Sequence, residues 1–254
     1  MPRADQLLVE RGLAHSRSQA QRLIAAGVTW RVGSQTWQRV DKNGALVPQD
    51  AELQLQNDAE TKYVSRGGLK LAGALRETGI KPQGLHCLDV GQSTGGFTDC
   101  LLQHGAAQVT GVDVGHSQLH SRLRGDSRVV CIEHCNAREL TLAQCGQSSG
   151  FALIVADLSF ISLTLVLPAL KSVMSELGQM LLLVKPQFEL QASDIGKGGV
   201  VKDTVKYVQV EQRLREAALA LDLHVSQWLP SSISGGDGNH EFFIHLRRPA
   251  CAKP

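Results

Sequence analysis

The chain has 254 residues, 43% apolar but only 4% aromatic, with 26 Lys and Arg against 24 Asp and Glu. That length and composition suit one large or two modest domains with aliphatic cores, and they fit neither a disordered chain nor a coiled coil. No apolar run approaches the roughly 20 residues of a membrane helix, and "MPRADQLLVERG" is too polar for a signal peptide, so a cytoplasmic protein is expected.

The first 60 residues read as a small unit. "RADQLLVERGL" sets Leu7 and Leu8 beside Arg11 in an amphipathic helix closed by Gly12. "SRSQAQRLIAAG" opens at a candidate N-cap, Ser16, and ends at Gly27, a good residue for leaving a helix. Arg17 and Arg22 lie on this helix, with Leu23 and Ile24 free to face a core. Short strand-like runs follow: "VTWRV", "TWQRV", "ALV" and "ELQLQ", punctuated by Gly33, Asn43–Gly44 and Pro48. Residues 1–81 carry 12 Lys and Arg against 8 Asp and Glu, and the remainder 14 against 16. The positive excess thus lies toward the N-terminus. It fits a polyanionic partner there, or an ordinary solvated surface.

Residues 61–84 join this unit to the next. "KYVSRGGLKLAGAL" holds a Gly–Gly pair and then a helical pattern, with Leu69, Ala72 and Leu75 at helical spacing and Lys70 in the first turn. From residue 85 to 250, strands and helices alternate. "LHCLDVG", "QVTGVDVG", "RVVCIEH", "FALIVAD" and "MLLLV" are strands. "GGFTDCLLQHG", "PALKSVMSELG" and "TVKYVQVEQRLREAALALDL" are helices, the second marked by Pro168 near its start and Gly178 past its end. "HVSQWL" and "EFFIHL" are closing strands. This alternation predicts an α/β fold, a doubly wound sheet preceded by a small α+β unit.

Open α/β sheets bind ligands beyond the carboxyl ends of their strands. After the first strand comes "DVGQSTGGFTD", whose Gly91, Gly95 and Gly96 form a tight turn into a helix N-terminus suited to an anionic group. The dinucleotide spacing G-x-G-x-x-G is absent, which weakens an NAD enzyme. Asp113 follows the second strand, suited to ribose hydroxyls, and Asn136 the third, suited to an adenine edge; either alone is more often a turn or cap residue, but together at strand ends they describe a nucleoside pocket. Asp157 ends the fourth strand and Lys185 the fifth. Adjacent strands end side by side, so Asp157 and Lys185 should meet at one rim. A carboxylate keeps a lysine charged while burial lowers its pKa, a balance suited to handling a substrate proton. The other reading of Lys185 is a side chain snorkelling from a strand end. Glu241 opens the last strand after the glycine-rich "SGGDGN".

Cys87, Cys100, Cys131, Cys135, Cys145 and Cys251 are scattered through these elements. "CIEHC" with Cys145 matches no common zinc spacing, so reduced core thiols and no metal are expected.

Two resemblances follow. "RADQLLVERGLAHSRSQAQRLIAAG" resembles the RNA-binding module named after ribosomal small-subunit protein S-four, although "VTWRVGSQTW" replaces the family's Val-x-Val-Asn-Gly run. Over nearly the whole chain, "YVSRGGLKL", "STGGFTD", "VDVGHSQL", "NAREL", "DLSFISL", "VKPQFE" and "GNHEF" resemble the TlyA family of ribosomal RNA 2′-O-methyltransferases, also labelled haemolysin A, with a catalytic domain of RrmJ/FtsJ type. That resemblance implies a catalytic set of Lys70, Asp157, Lys185 and Glu241. It implies S-adenosyl-L-methionine held by Gly91, Ser93, Gly95, Gly96, Phe97, Asp113, Asn136 and Asp157. It implies ribosomal RNA or ribosomal subunits as partner, with cytidine as the target base. Arg3, Arg11, Arg17 and Arg22, with Lys62 and Arg66 in the linker, become candidate RNA contacts. Gln92 departs from the small residue common in the family, and either crowds the cofactor pocket or points outward. The rival readings are a non-catalytic RNA-binding or assembly factor and a membrane-active haemolysin. The second lacks a spanning helix or a strongly amphipathic, Trp-rich segment.

Overall fold

The computed structural model describes residues 1–14, 16–56, 62–196 and 198–249. Cys251 and the expected 60/61 boundary lie outside the described residues. The chain divides into two compact units, Met1–Arg66 and Gly67–Pro254.

In the first unit, α1 (Ala4–Glu10) and α2 (Arg17–Gly27) pack on an antiparallel sheet of β1 (Val28–Arg31), β2 (Gln38–Arg39) and β3 (Glu52–Leu55), in the order β2-β1-β3. Ser16 caps α2 as its sequence position suggests, its hydroxyl accepting from Gln19 N at 3.2 Å. Leu7, Leu8, Leu23, Ile24, Val28, Val40 and Val47 form the core, with Trp30, Leu53 and Leu55 from the inner sheet face. The run "ALV" is not a strand: it contributes only a bridge between Leu46 and Arg3.

The second unit opens with α3 (Gly67–Thr78). There follow β4 (His86–Val90), α4 (Gly96–Gln103), β5 (Gln108–Val112), α5 (Ser121–Arg124), β6 (Val129–Ile132), β7 (Phe151–Ala156), α6 (Leu167–Val173), β8 (Met174–Val184), α7 (Pro186–Glu189), α8 (Thr204–Leu219), β9 (His224–Pro230) and β10 (Phe242–Arg247). The strands form one sheet in the order β6-β5-β4-β7-β8-β10-β9. The first five run parallel, and β10 joins β8 and β9 antiparallel. Because β4 and β7 are neighbours while β5 and β6 lie beyond β4, the order reverses beside β4. The carboxyl ends of β4, β5 and β7 therefore border the crevice where such sheets bind ligands. The aliphatic core runs through Leu88, Val90, Ile154, Leu170, Met180, Leu182, Leu214 and Ile244.

One element differs from its sequence pattern. The expected helix "PALKSVMSELG" stops at Val173, and Met174 already pairs with Phe151 of β7. From Phe151↔Met174 to Leu153↔Gln179, β7 advances two residues and β8 five. The surplus bulges outward and leaves Leu177 98% exposed. Strand pairing across the sheet outweighs the local helix signal there.

Candidate active site

The glycine turn after β4 is tied to both neighbouring strands. Gly91 N and Gln92 N donate to Val112 O at 2.9 and 3.1 Å, and Asp157 N donates to Val90 O at 3.0 Å. Gly91 has φ +83°, and a β-carbon there would lie 2.5 Å from the Asp157 carbonyl oxygen. Only glycine lets this turn pass so close to the end of β7. α4 begins at Gly96 with no side-chain cap from Gly95; its Thr98 N–H bonds the buried Asp89, which leaves the Gly96 and Phe97 N–H groups as a cradle for an anionic group.

Gln92 neither crowds the pocket nor points outward. Its side chain is buried and packs over Gly111 of β5, where an added β-carbon would lie 1.9 Å from Nε2. Nε2 donates to Thr98 Oγ1 at 2.9 Å, and Thr98 Oγ1 donates to Asp89 Oδ2 at 2.7 Å. Asp89 is fully buried beneath the turn, and burial pushes its carboxyl up to about 7. Gln92 thus belongs to the floor of the turn.

Asp113 bridges the turn and the loop after β5. Its Oδ2 accepts from Ser93 N and its Oδ1 from Gly115 N, both at 2.7 Å. Ser93 Oγ donates to Gln118 Oε1 at 3.0 Å. Asn136 caps the short turn Ala137–Glu139, its Oδ1 accepting from Arg138 N at 3.1 Å. The Phe97 side chain faces the core instead and stacks on Phe243 with centroids 6.1 Å apart. Only its backbone lies at the turn.

The four remaining site residues form two ion pairs on one rim. Lys185 Nζ stands 2.6 Å from Asp157 Oδ1 and donates to Ser159 Oγ at 2.9 Å. Lys70, buried in the first turn of α3, lies 2.5 Å from Glu241 Oε2. Phe242 pairs with Val184, so Glu241 and Lys185 continue adjacent strands at the same level. Burial lifts the Glu241 carboxyl, and the Lys70 ammonium pulls it back only in part. Both lysines therefore sit with a carboxylate in a partly dehydrated rim, which favours holding one against a proton donor.

Three rim features escaped the sequence reading. Phe160 is 91% exposed with φ +63°, its ring 5.0 Å from that of Phe188. The Phe188 ring in turn lies 5.9 Å from Lys185 Nζ. Glu189 ties the two loops together, its oxygens accepting from Ser162 Oγ at 2.6 Å and Leu163 N at 2.7 Å. Gln187 Nε2 donates to Asp237 Oδ2 at 3.2 Å, fastening the loop that precedes Glu241. "DLSF" and "KPQFE" contain most of these residues, but no spacing rule says which aromatic ring stays in water.

A family model for FtsJ-like methyltransferases matches residues 63–248. The chain belongs to that family. Among its relatives, the 16S/23S rRNA (cytidine-2′-O)-methyltransferase TlyA of Mycobacterium tuberculosis is 44% identical over 250 residues, covering 96% of this chain and 89% of that protein. Hemolysin A of Brachyspira hyodysenteriae is 37% identical over 244 residues, covering 96% and 99%. A solved Streptococcus thermophilus structure described as a hemolysin superposes with a TM-score of 0.75 at 38% identity, covering 98% of this chain and 90% of that one.

In this FtsJ-like methyltransferase, the candidate RNA contacts of the first unit divide by surroundings. Arg3 and Arg17 converge on Asp5. Arg11 is spent inside the unit, donating to Ala51 O at 2.5 Å and to Gln49 O. Arg22 and Arg66 are half-buried, and exposed Lys62 lies over the ring of buried Tyr63, 5.3 Å from its centroid. Burial pushes the Cys87 thiol up to about 12 and the Cys145 thiol up to about 11, as core thiols should behave. Among the described residues, no helix is long and apolar enough to cross a membrane.

Proposed function

We propose that this methyltransferase moves a methyl group from S-adenosyl-L-methionine to the 2′-hydroxyl of a cytidine ribose in ribosomal RNA, acting in the cytoplasm on RNA or ribosomal subunits. The observation that carries the reading is Lys185 Nζ held between Asp157 Oδ1 and Ser159 Oγ, with the Asp157 backbone against the glycine turn. A reacting hydroxyl at that lysine is then beside the turn that would hold the methyl donor.

The residues fit the cofactor. Backbone N–H groups at Gly96 and Phe97 suit its methionine carboxylate, on a turn whose Gly91, Gln92, Ser93 and Gly95 N–H groups are bonded within the protein. Asp113 already accepts two backbone N–H groups, and its remaining lone pairs suit ribose hydroxyls. Asn136 keeps its NH₂ for the adenine side. When bound, S-adenosylmethionine supplies an electrophilic methyl on a positive sulfur.

Lys185 takes or stabilises the proton of the 2′-hydroxyl. Asp157 orients the lysine and balances its charge. Glu241 and Lys70 form the second pair behind it and keep the rim's charge fixed. The N-terminal unit, on its resemblance to the S-four-type module, holds folded RNA by phosphates and shape. The target nucleotide leaves its helix to reach the rim.

The test is incubation of the purified protein with methyl-labelled S-adenosylmethionine and unmethylated ribosomal subunits, beside Lys185→Ala. Label in RNA with the native chain and none with the variant supports the reading. No label with cofactor binding absent favours a non-catalytic RNA-binding protein on this fold.

A further inference from the structure

Lys185 has two partners on the loop that follows β7. Asp157 Oδ1 lies 2.6 Å from Nζ, and Ser159 Oγ accepts from Nζ at 2.9 Å. With Asp157 alone, Nζ could swing about that one contact. Asp157 and Ser159 together fix its place and leave the last of its three N–H donors for a substrate hydroxyl. Asp157 is secured by its own backbone, through Asp157 N→Val90 O at 3.0 Å. Ser159 is not. Among the described residues, 158–161 take part in no backbone–backbone hydrogen bond, and Phe160 stands 91% exposed at φ +63°. A residue with a β-carbon holds that left-handed conformation only where its surroundings impose it.

Glu189 supplies the constraint. Apart from the packing of half-buried Leu158 and Ile161 on the core, it is what fastens the far end of the span. Its side chain is buried, and each oxygen accepts one bond: Oε2 from Ser162 Oγ at 2.6 Å and Oε1 from Leu163 N at 2.7 Å. The Glu189 backbone belongs to the turn that begins at Lys185. Phe188 N donates to Lys185 O at 2.9 Å, and Arg213 of α8 donates to Glu189 O at 2.6 Å. Glu189 therefore ties the loop that carries Ser159 to the turn that carries Lys185.

We propose that Glu189 is a positioning residue for methyl transfer: by clamping Ser162 and Leu163 it holds Phe160 in its left-handed turn and so keeps Ser159 on Lys185. The inference rests on the reading of Lys185 as the residue that handles the 2′-hydroxyl proton. The work lies in two hydrogen bonds and not in the charge. A glutamine can make both, with Oε1 accepting from Leu163 N and Nε2 donating to Ser162 Oγ. The Ser162 hydrogen then turns to Thr164 Oγ1, 2.8 Å away. An alanine makes neither.

The test is single-turnover methyl transfer to unmethylated ribosomal subunits, at saturating RNA and cofactor, by full-length variants. Misplacing a catalytic group costs about 10- to 100-fold, and that loss of rate is expected for Glu189→Ala and Ser159→Ala alike. S-adenosylmethionine affinity stays unchanged. The Glu189→Ala/Ser159→Ala double variant should be no slower than either single one, because the two residues act as a unit. Glu189→Gln should keep most of the native rate. Native turnover in folded Glu189→Ala, losses that multiply in the double variant, or a Glu189→Gln as slow as Glu189→Ala overturns the proposal. If Glu189→Ala does not fold, Ser162→Ala, which removes one of the two bonds, takes its place in the same cycle. A crystal structure of the variant decides without turnover. Phe160 at negative φ, with Ser159 Oγ out of reach of Lys185 Nζ, supports the clamp, and an unchanged 157–163 loop overturns it. A native chain that transfers no methyl, beside a variant with the displaced loop, sinks the reaction and leaves the clamp standing.

Discussion

The carboxamide of Gln92 occupies the space a β-carbon on Gly111 would need, 1.9 Å from Nε2. A large residue on the glycine turn is matched by the absence of a side chain on the neighbouring strand. The same carboxamide orders the Thr98 hydroxyl toward Asp89, so turn, helix and strand are coupled at one point.

This pairing predicts non-additive mutations. Gly111→Ala forces overpacking and is expected to cost about 1–3 kcal/mol. Gln92→Ala removes a buried bond and leaves a void, at about 1–3 kcal/mol. The double variant should be clearly more stable than the sum of the two losses implies. Thermal unfolding of the four proteins measures the coupling, and strict additivity would refute the pairing.

At the rim, Lys185→Ala should lower methyl transfer by about 10²- to 10⁴-fold, the usual range for a proton-handling group. S-adenosylmethionine affinity should change little, since the lysine faces the hydroxyl and not the turn. Lys185→Arg should not restore the rate, because a guanidinium does not release its proton near neutral pH. Single-turnover labelling with calorimetric cofactor binding separates the two effects. A Lys185→Ala enzyme with native turnover would remove the lysine from the chemistry.

Phe160 stands in water beside Phe188, whose ring neighbours Lys185. A base displaced toward the rim would find it as a stacking surface. Stacking of a base on an aromatic ring is worth about 1–3 kcal/mol, so Phe160→Ala should weaken RNA binding about 5- to 150-fold. Cofactor affinity should be unaffected. Phe160→Trp should keep most of the native value. Equal RNA affinity for native chain and alanine variant would leave the ring without this role.

Acid should act on the sheet through His245. Burial lowers its pKa to about 4, while Nε2 lies 2.9 Å from Gln179 Oε1. Between pH 4 and 6.5 the unfolded chain binds more protons at this residue than the folded one. Its contribution to stability is therefore complete above about pH 6.5 and falls as pH drops toward 4. Partial access of water brings the loss to about 1.5–3 kcal/mol. Asp89 works in the opposite sense, because its raised pKa favours the folded state in acid and disfavours it as pH rises toward 7. Comparing the native chain with His245→Gln isolates the histidine. The variant should gain relative stability in denaturant titrations as pH falls from 7 to 4.5, and parallel pH profiles would exclude the effect.

The alternation of strand and helix from residue 85, the turn at Gly91–Gly96 and the order of Asp113, Asp157, Lys185 and Glu241 are all local or periodic features. They were legible in the sequence because strand ends and turns have their own residue chemistry. The helix at "PALKSVMSELG" ended early because Met174 pairs with Phe151, a contact made across the sheet and not signalled by its neighbours in the chain. The fate of Gln92 likewise depended on Gly111, nineteen residues away on another strand.

By itself the sequence determined that Asp157 and Lys185 meet at the rim, since the strand pattern sends them to adjacent strand ends. Only the tertiary structure decided that Lys70 of α3 pairs with Glu241 beside them. It also turned Phe97 into the core, left Phe160 in water and enlisted Arg3 and Arg17 on Asp5. The reason is physical. Periodicity fixes which face of an element a side chain occupies, but its partner is set by whatever another element brings within about 3 Å, and burial then decides how much that partner matters.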